Sequence, residues 1–522
     1  MSKRLATIWV LVVVAAGLSG AGLKPAFASQ TPTPTDEPVV TQYQITVDGR
    51  VLRYTARAGF LSLRDEFNDI HARIFYVAYQ LDRGTDKSPR PLTFAWNGGP
   101  GSPASMLHLG ALGPFRVKDL DQYSAAPPPY ELTENESTWL DQTDLVFVDP
   151  VGTGYSYALS QEFGKEFWSP KGDIDSISEF IRLFLAQHEP NPTPPIFLVG
   201  ESYGTFRAAG VAERLHDRDI DVAGVVLIST ILDAGLNLSD NPSSDLPYIM
   251  LIPSYTVAAF VHKKLPADLQ TNLETAIQKS EEWAESQYSV ALLKGDRLPS
   301  ADRERVTKEF SRFTGLDEEF VTKHNLRVGM DEFAGQLLRD KKQVLGHYDV
   351  RATISTTSSG GEYNPTLDPS LNSHGTGKLI VPYLRSQLDF RSSALYAGPF
   401  GGRWPAPTEH RGDWMSTRWD WGSARSPDAD RSAALAHAMR ENKSMQVLVI
   451  SGLYDLATPF FSAENTFAHM GLDSETRARV ELLRYPGGHM VYLDAANRKR
   501  LKRDFTALVQ RALLPAAPGS TK

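Results

Sequence analysis

Short runs of consecutive apolar residues recur along the chain, each closed by a polar or glycine-rich loop. They fall at residues 92–96, 145–148, 196–199, 225–228 and 447–450. Unbroken apolar runs of this kind suit strands buried on both faces, as in a parallel sheet covered by helices. Between them the apolar positions take helical spacing. Residues 174–187 carry Ile174, Ile177, Ile181 and Leu185 in this way, and residues 206–215 form a second, shorter helical stretch. Upstream the period is that of half-buried strands. Residues 43–47 alternate, Asp48-Gly49 is a hairpin turn before Val51-Leu52, and residues 74–79 are an aromatic-rich strand. Antiparallel strands therefore open a sheet that continues in parallel. The alternation of strands and helices predicts an α/β fold.

From about residue 235 to residue 384 this pattern stops. Residues 267–293 are polar and helical, with Leu269, Leu273, Ile277 and Trp283 on the apolar positions. Charged helical stretches follow near 301–313 and 330–342, then a Ser/Thr/Gly-rich loop over 355–361. We read 235–384 as a largely helical cap inserted between two parts of one core, 43–234 and 385–515, with a tail over 516–522. No internal repeat is visible.

The first residues change the expected location of the protein. Lys3 and Arg4 precede an almost uncharged apolar stretch over 5–23, and Ala26-Phe27-Ala28 supplies a small-x-small cleavage pattern. Residues 1–28 read as a signal peptide cut after Ala28, and 29–42 as a proline-rich linker. The alternative is an uncut membrane anchor, because the stretch is near the length of a span. The expectation is a periplasmic or secreted protein with no stable membrane span after cleavage. Composition adds exclusions. The chain has 522 residues and a formal net charge of -8 against 54 lysines and arginines, with no basic stripe, so nucleic acid is not an expected partner. There are no cysteines, hence no disulfide, no thiolate nucleophile and no Cys-ligated metal. The histidines are scattered, without H-E-x-x-H spacing, and neither a metal nor a cofactor is expected. Oligomeric state is not written in the sequence.

The sharpest local signal is Gly200-Glu201-Ser202-Tyr203-Gly204, with a strand before it and a helix after it. A serine on a tight strand-to-helix turn needs small neighbours, and the turn exposes its hydroxyl at the positive end of the helix. The Tyr203 N–H then points to where an oxyanion forms in acyl transfer. A serine hydroxyl needs a base, and the base an orienting acid. Asp455, in Gly452-Leu-Tyr-Asp455, follows the strand at 447–450. His489, in Gly488-His489-Met490, follows a strand-like stretch at 480–485. Taken singly, Asp455 also reads as a solvated loop acid and His489 as a buried, hydrogen-bonded histidine. Together, in the order Ser, Asp, His and each after a strand, they read as a triad. A second glycine-rich loop, Asn97-Gly98-Gly99-Pro100-Gly101, closes the strand at 92–96. By itself it is a tight turn. A triad hydrolase also needs a second oxyanion donor from an early loop, and the Gly99 N–H suits that role.

These motifs, with Asp149-Pro-Val-Gly-Thr-Gly-Tyr-Ser156, resemble those of the serine carboxypeptidase family, in the branch found in bacteria. They follow the family's order through nearly all of the chain beyond residue 28. The resemblance implies an α/β-hydrolase fold: a mixed, mostly parallel sheet with flanking helices and a helical cap. It implies an exopeptidase acting on peptide substrates with a free C-terminus. Asn97 and Glu201, helped by the Gly98 backbone, would hold the terminal carboxylate. Gly99 and Tyr203 would supply the oxyanion N–H groups, and Met490 would border the leaving-residue pocket. Ionised carboxylates repel, so Glu201 would have to carry a proton to bond one. A structural carboxylate tied to nearby backbone is the other reading of Glu201.

Three departures stand out. Many eukaryotic members carry a second glutamate where Ala111 stands here, so one source of an upward pKa shift is missing and a weaker acid preference is expected. The family's tryptophan two residues before the asparagine is absent. Trp96 is directly adjacent instead and is assigned no substrate contact. The family's disulfides are absent too, so packing must hold the cap. An esterase or acyltransferase with the same triad is the competing function, and a non-enzymatic exported binding protein the third.

Overall fold

The computed structural model describes residues 36–514, apart from 87, 119–128, 189–192, 237–243, 372–374, 399–418 and 423–429. The expected signal peptide, its cleavage site, residues 29–35 of the linker and the tail at 516–522 lie outside the described residues.

Ten strands form the main sheet. From one edge they run Val39–Val47, Arg50–Arg64, Ile70–Leu81, Asp144–Val148, Leu92–Trp96, Ile196–Glu201, Val222–Ile228, Gln446–Gly452 and Val480–Tyr485, and the short Tyr157–Ala158 pairs with Ile70–Leu81. The first strands pair antiparallel, through a turn in which Asp48 and Gly49 both take positive φ. That is the backbone the Asp-Gly pair allows. From Asp144–Val148 onward every neighbouring pair is parallel. The fold is α/β, of the α/β-hydrolase kind.

The period-2 rule divides the central strands between two apolar layers. Leu198, Val447 and Val449 face one cluster, filled by Ile177 and Phe180 of the helix Pro170–His188, Phe206 and Val211 of Tyr203–His216, and Leu435 and Met439 of Ser432–Glu441. Phe197, Val199, Leu448 and Ile450 face the other, filled by Phe505 and Leu508 of Ala495–Leu513. Burial on both faces explains why these strands read as unbroken apolar runs.

The structure differs from the sequence reading at several boundaries. The first strand begins at Val39, inside the segment expected to be linker. The helix Thr376–Ser386 crosses the expected cap boundary at 384, and its Ile380, Tyr383 and Leu384 pack on the sheet. The helical stretch expected over 330–342 is the helix Met330–Gln336 and a single 3-10 turn at Arg339–Lys341. The helix Leu246–Val261 has no counterpart in the sequence reading. Most of its residues are buried all round, so no polar stripe marks a helical period.

A third apolar cluster joins that helix to Ala276, Ile277, Trp283, Phe310 and Phe333, and is completed by Leu456, Phe460 and Phe461 from beyond the strand Gln446–Gly452. Without cysteines the segment is held by this packing and by ion pairs. Arg484, in the last sheet strand, bonds Glu281 at 2.7 Å. Among the described residues no helix is long and apolar enough to cross a membrane.

Candidate active site

The parallel strands all end on one edge of the sheet, and the singled-out residues follow those ends. Asn97 follows Trp96, Ser202 follows Glu201, and Asp455 and His489 sit in the loops after Gly452 and Tyr485. In open α/β sheets this is the edge that binds ligands.

Ser202 lies between the strand Ile196–Glu201 and the helix Tyr203–His216, with φ 57° and ψ -131°. A non-glycine residue in that region carries strain of about 1–3 kcal/mol, and such strain gathers at functional turns. The spacing of the glycines has a steric cause. A Cβ on Gly200 would sit 2.0 Å from the Gly204 carbonyl oxygen, and one on Gly98 would sit 2.5 Å from the Tyr203 nitrogen. The Asn97–Gly101 loop therefore lies directly against the start of the helix. Among the described residues the N–H groups of Gly98, Gly99 and Tyr203 donate no hydrogen bond. They remain available to an anion.

His489 Nδ1 bonds Asp455 Oδ2 at 2.8 Å, and both residues are buried. Asp455 also accepts from the Thr458 N–H at 3.0 Å and the Thr458 hydroxyl at 2.5 Å. Burial works against an imidazolium at His489. The Asp455 charge and hydrogen bond, with Glu201 and Asp368, outweigh it and raise the pKa above the ordinary imidazole value.

Backbone bonds hold the loops together. The His489 N–H donates to the Tyr348 carbonyl at 2.6 Å, and the Ser229 hydroxyl donates to the His489 carbonyl. The Ser202 N–H donates to Ile228, the residue before Ser229, at 2.9 Å. One strand end thus anchors both the serine turn and the histidine loop. The hydrogen bonds among the described residues do not include one from Ser202 Oγ to His489. Such bonds are often long without substrate.

Beside the turn, the Asn97 amide donates to the buried Glu201 carboxylate, and the Tyr492 hydroxyl donates to the same oxygen at 2.9 Å. Asn97 Oδ1 accepts from the Leu107 N–H at 3.1 Å, which fixes the amide's direction. Burial raises the Glu201 pKa, while His489, Tyr492 and Asn97 act in the opposite sense. Ala111 is buried and puts no second carboxyl here. Trp96 donates its indole N–H to the Gly204 carbonyl at 2.9 Å, a bond that braces the turn. Met490 is only 8% exposed and packs into the sheet-face cluster. The Asp149 motif is a brace as well: Asp149 accepts from the Ala104 N–H at 2.9 Å, just beyond the glycine-rich loop.

Tyr492, Thr458, Ser229 and Tyr348 were not singled out in the sequence. Thr458 stands three residues after Asp455, a spacing at which a hydroxyl can cap a carboxylate. The others carry no local signal.

A family model described as "Serine carboxypeptidase" matches residues 48–294, which hold both the glycine-rich loop and the serine turn. Over that stretch, just under half of its length, the chain is similar to the serine carboxypeptidase family. Serine carboxypeptidase-like 1 of Arabidopsis thaliana is 30% identical over 153 residues, 29% of this chain and 32% of that protein. The pheromone-processing carboxypeptidase kex1 of Aspergillus niger is 33% identical over 143 residues, 27% of this chain and 21% of that protein. The matches thus span about a third or less of these curated serine carboxypeptidase relatives. The crystal structure of Kex1(delta)p, a prohormone-processing carboxypeptidase from Saccharomyces cerevisiae, shares the fold. Its TM-score is 0.53 at 15% identity, covering 87% of this chain and 91% of that one.

Proposed function

We propose that this protein is an exported serine-type carboxypeptidase that removes C-terminal residues from peptides through an acyl-enzyme on Ser202. The observation that carries the reading is the Asn97–Glu201 pair, with Tyr492 behind it, set directly beside the serine turn. In this reading His489 takes the Ser202 proton during attack and returns it to the leaving amine, and Asp455 holds the ring. The Gly99 and Tyr203 N–H groups receive the developing oxyanion. Asn97, the Gly98 N–H and protonated Glu201 receive the substrate's carboxylate, and Met490 borders the leaving residue. Export rests on the pattern of residues 3–28, and sequencing the N-terminus of the mature protein tests it.

The deciding assay compares N-blocked dipeptides with their C-terminal amides and with simple esters. Free acids are expected to be the preferred substrates, and Asn97→Ala to raise KM for them about tenfold or more, with a smaller effect on amides. Turnover of amides and esters without free acids would sink the reading in favour of an esterase or acyltransferase.

Glu201 also sets a pH dependence. Below its pKa the carboxyl donates to the substrate's carboxylate; above it, two anions face each other. Burial raises that pKa, so the donor form persists above the ordinary carboxyl range. Ala111 adds no second carboxyl to share that proton. KM for free acids is expected to rise gradually with pH, and Glu201→Gln to flatten that rise. A rise steeper than about tenfold per pH unit, or one that persists unchanged in Glu201→Gln, would contradict this single-carboxyl behaviour.

A further inference from the structure

Arg207 lies one turn into the helix that follows Ser202, and its side chain is fully enclosed. Its Nε donates to Asp173 Oδ2 at 2.7 Å, and its Nη1 donates to the backbone carbonyl of Asn97 at 2.8 Å. The guanidinium also lies over the Tyr203 ring, 5.2 Å from its centroid. A buried ion pair is weak evidence for stability, since desolvation offsets most of the attraction. The bond to Asn97 gives this one a different use.

The Asn97 carbonyl and the Gly98 N–H belong to one planar trans peptide, so they point in opposite directions. A guanidinium anchored by Asp173 holds the carbonyl from inside the protein and thereby turns the Gly98 N–H away from the interior. That N–H has no partner among the described residues. The neighbouring Asn97 side chain is fixed by Glu201 and Leu107. We propose that Arg207 is a positioning residue for substrate recognition: held by Asp173, it fixes the Asn97–Gly98 peptide so that the Gly98 N–H meets the substrate's terminal carboxylate. The inference rests on the carboxypeptidase reading and adds to it a residue that never touches the substrate. Arginine suits the task because its rigid fork serves two acceptors at once, which a lysine cannot do as well.

The test is steady-state kinetics on an N-blocked dipeptide acid and its C-terminal amide. It compares wild type, Arg207→Lys and the double variant Asp173→Asn with Arg207→Met. The double variant avoids leaving a buried carboxylate unpaired. Labelling of Ser202 by a fluorophosphonate reports that each protein is folded. The double variant is expected to raise KM for the acid about tenfold, with kcat and the amide's constants changed less than about threefold. Arg207→Lys should recover part of the loss. Unchanged KM for the acid, equal effects on acid and amide, or loss of labelling together with both activities would each overturn the proposal. If wild type does not favour acids over amides, the carboxypeptidase reading falls and this inference with it. If wild type favours acids and the variants do so equally, this inference alone falls.

Discussion

Ser202→Ala is expected to lose turnover by about a million-fold while still binding peptide acids released as products. The size of the effect follows from the way the three groups act as a unit. Without the hydroxyl there is no acyl-enzyme, and the residual rate comes only from bound water beside the free N–H groups of Gly99 and Tyr203. The proposed carboxylate site does not use the serine side chain. Asn97, Glu201 and Tyr492 keep their mutual hydrogen bonds when it is removed. Calorimetric titration with a product peptide acid should therefore give nearly the wild-type affinity. Turnover within a hundredfold of wild type would remove Ser202 from the chemistry. Loss of product binding along with turnover would mean that the substitution disturbs the fold of the turn.

Asp455→Asn should lower kcat/KM about ten-thousandfold with the fold intact. The carboxylate accepts from His489, from the Thr458 N–H and from the Thr458 hydroxyl. An asparagine keeps an acceptor for Thr458 and turns its amide N–H toward His489 Nδ1. The imidazole then holds its proton on Nε2, the nitrogen that accepts from Ser202 in the proposed mechanism. A second consequence has a definite sign. Burial lowers the His489 pKa, and Asp455 leads the groups that raise it. With that charge gone, burial is opposed only by Glu201 and Asp368, and the acid limb of the pH–rate profile should move to lower pH. Activity within tenfold of wild type, or an acid limb that moves upward, would contradict the assigned role of Asp455.

Much of the fold could be read along the chain because the central strands are buried on both faces. Such strands must be apolar without interruption, and the five runs at 92–96, 145–148, 196–199, 225–228 and 447–450 all became neighbours in one sheet. The serine turn was legible for a related reason. Gly200 is required by a clash with the Gly204 carbonyl four residues on, a local constraint that leaves a local pattern, whereas a Cβ on Gly204 would meet Trp96 and Asn97 from a distant loop. The helix Leu246–Val261 was not legible, since burial on nearly every side erases helical periodicity.

The candidate site divides along the same line. Asn97, Glu201, Ser202, Asp455 and His489 stand at strand ends, where spacing and order mark them. Tyr492 meets Glu201 across 291 positions and Arg207 meets Asn97 across 110. No periodicity connects such distant residues.

By itself the sequence determined the central strands of the sheet, the loops that close them, and which residue types stand at those breaks. These are properties of neighbours a few residues apart, fixed by sterics and by the need to bury apolar side chains. Only the tertiary structure decided which loop lies against which, what the Tyr348 carbonyl and the Arg207 guanidinium hold, and how burial and nearby charge set Glu201 and His489. Those outcomes depend on distances through space. They come into existence when the chain closes and water leaves the site, because desolvation is what turns a hydrogen bond or a neighbouring charge into a decisive energy.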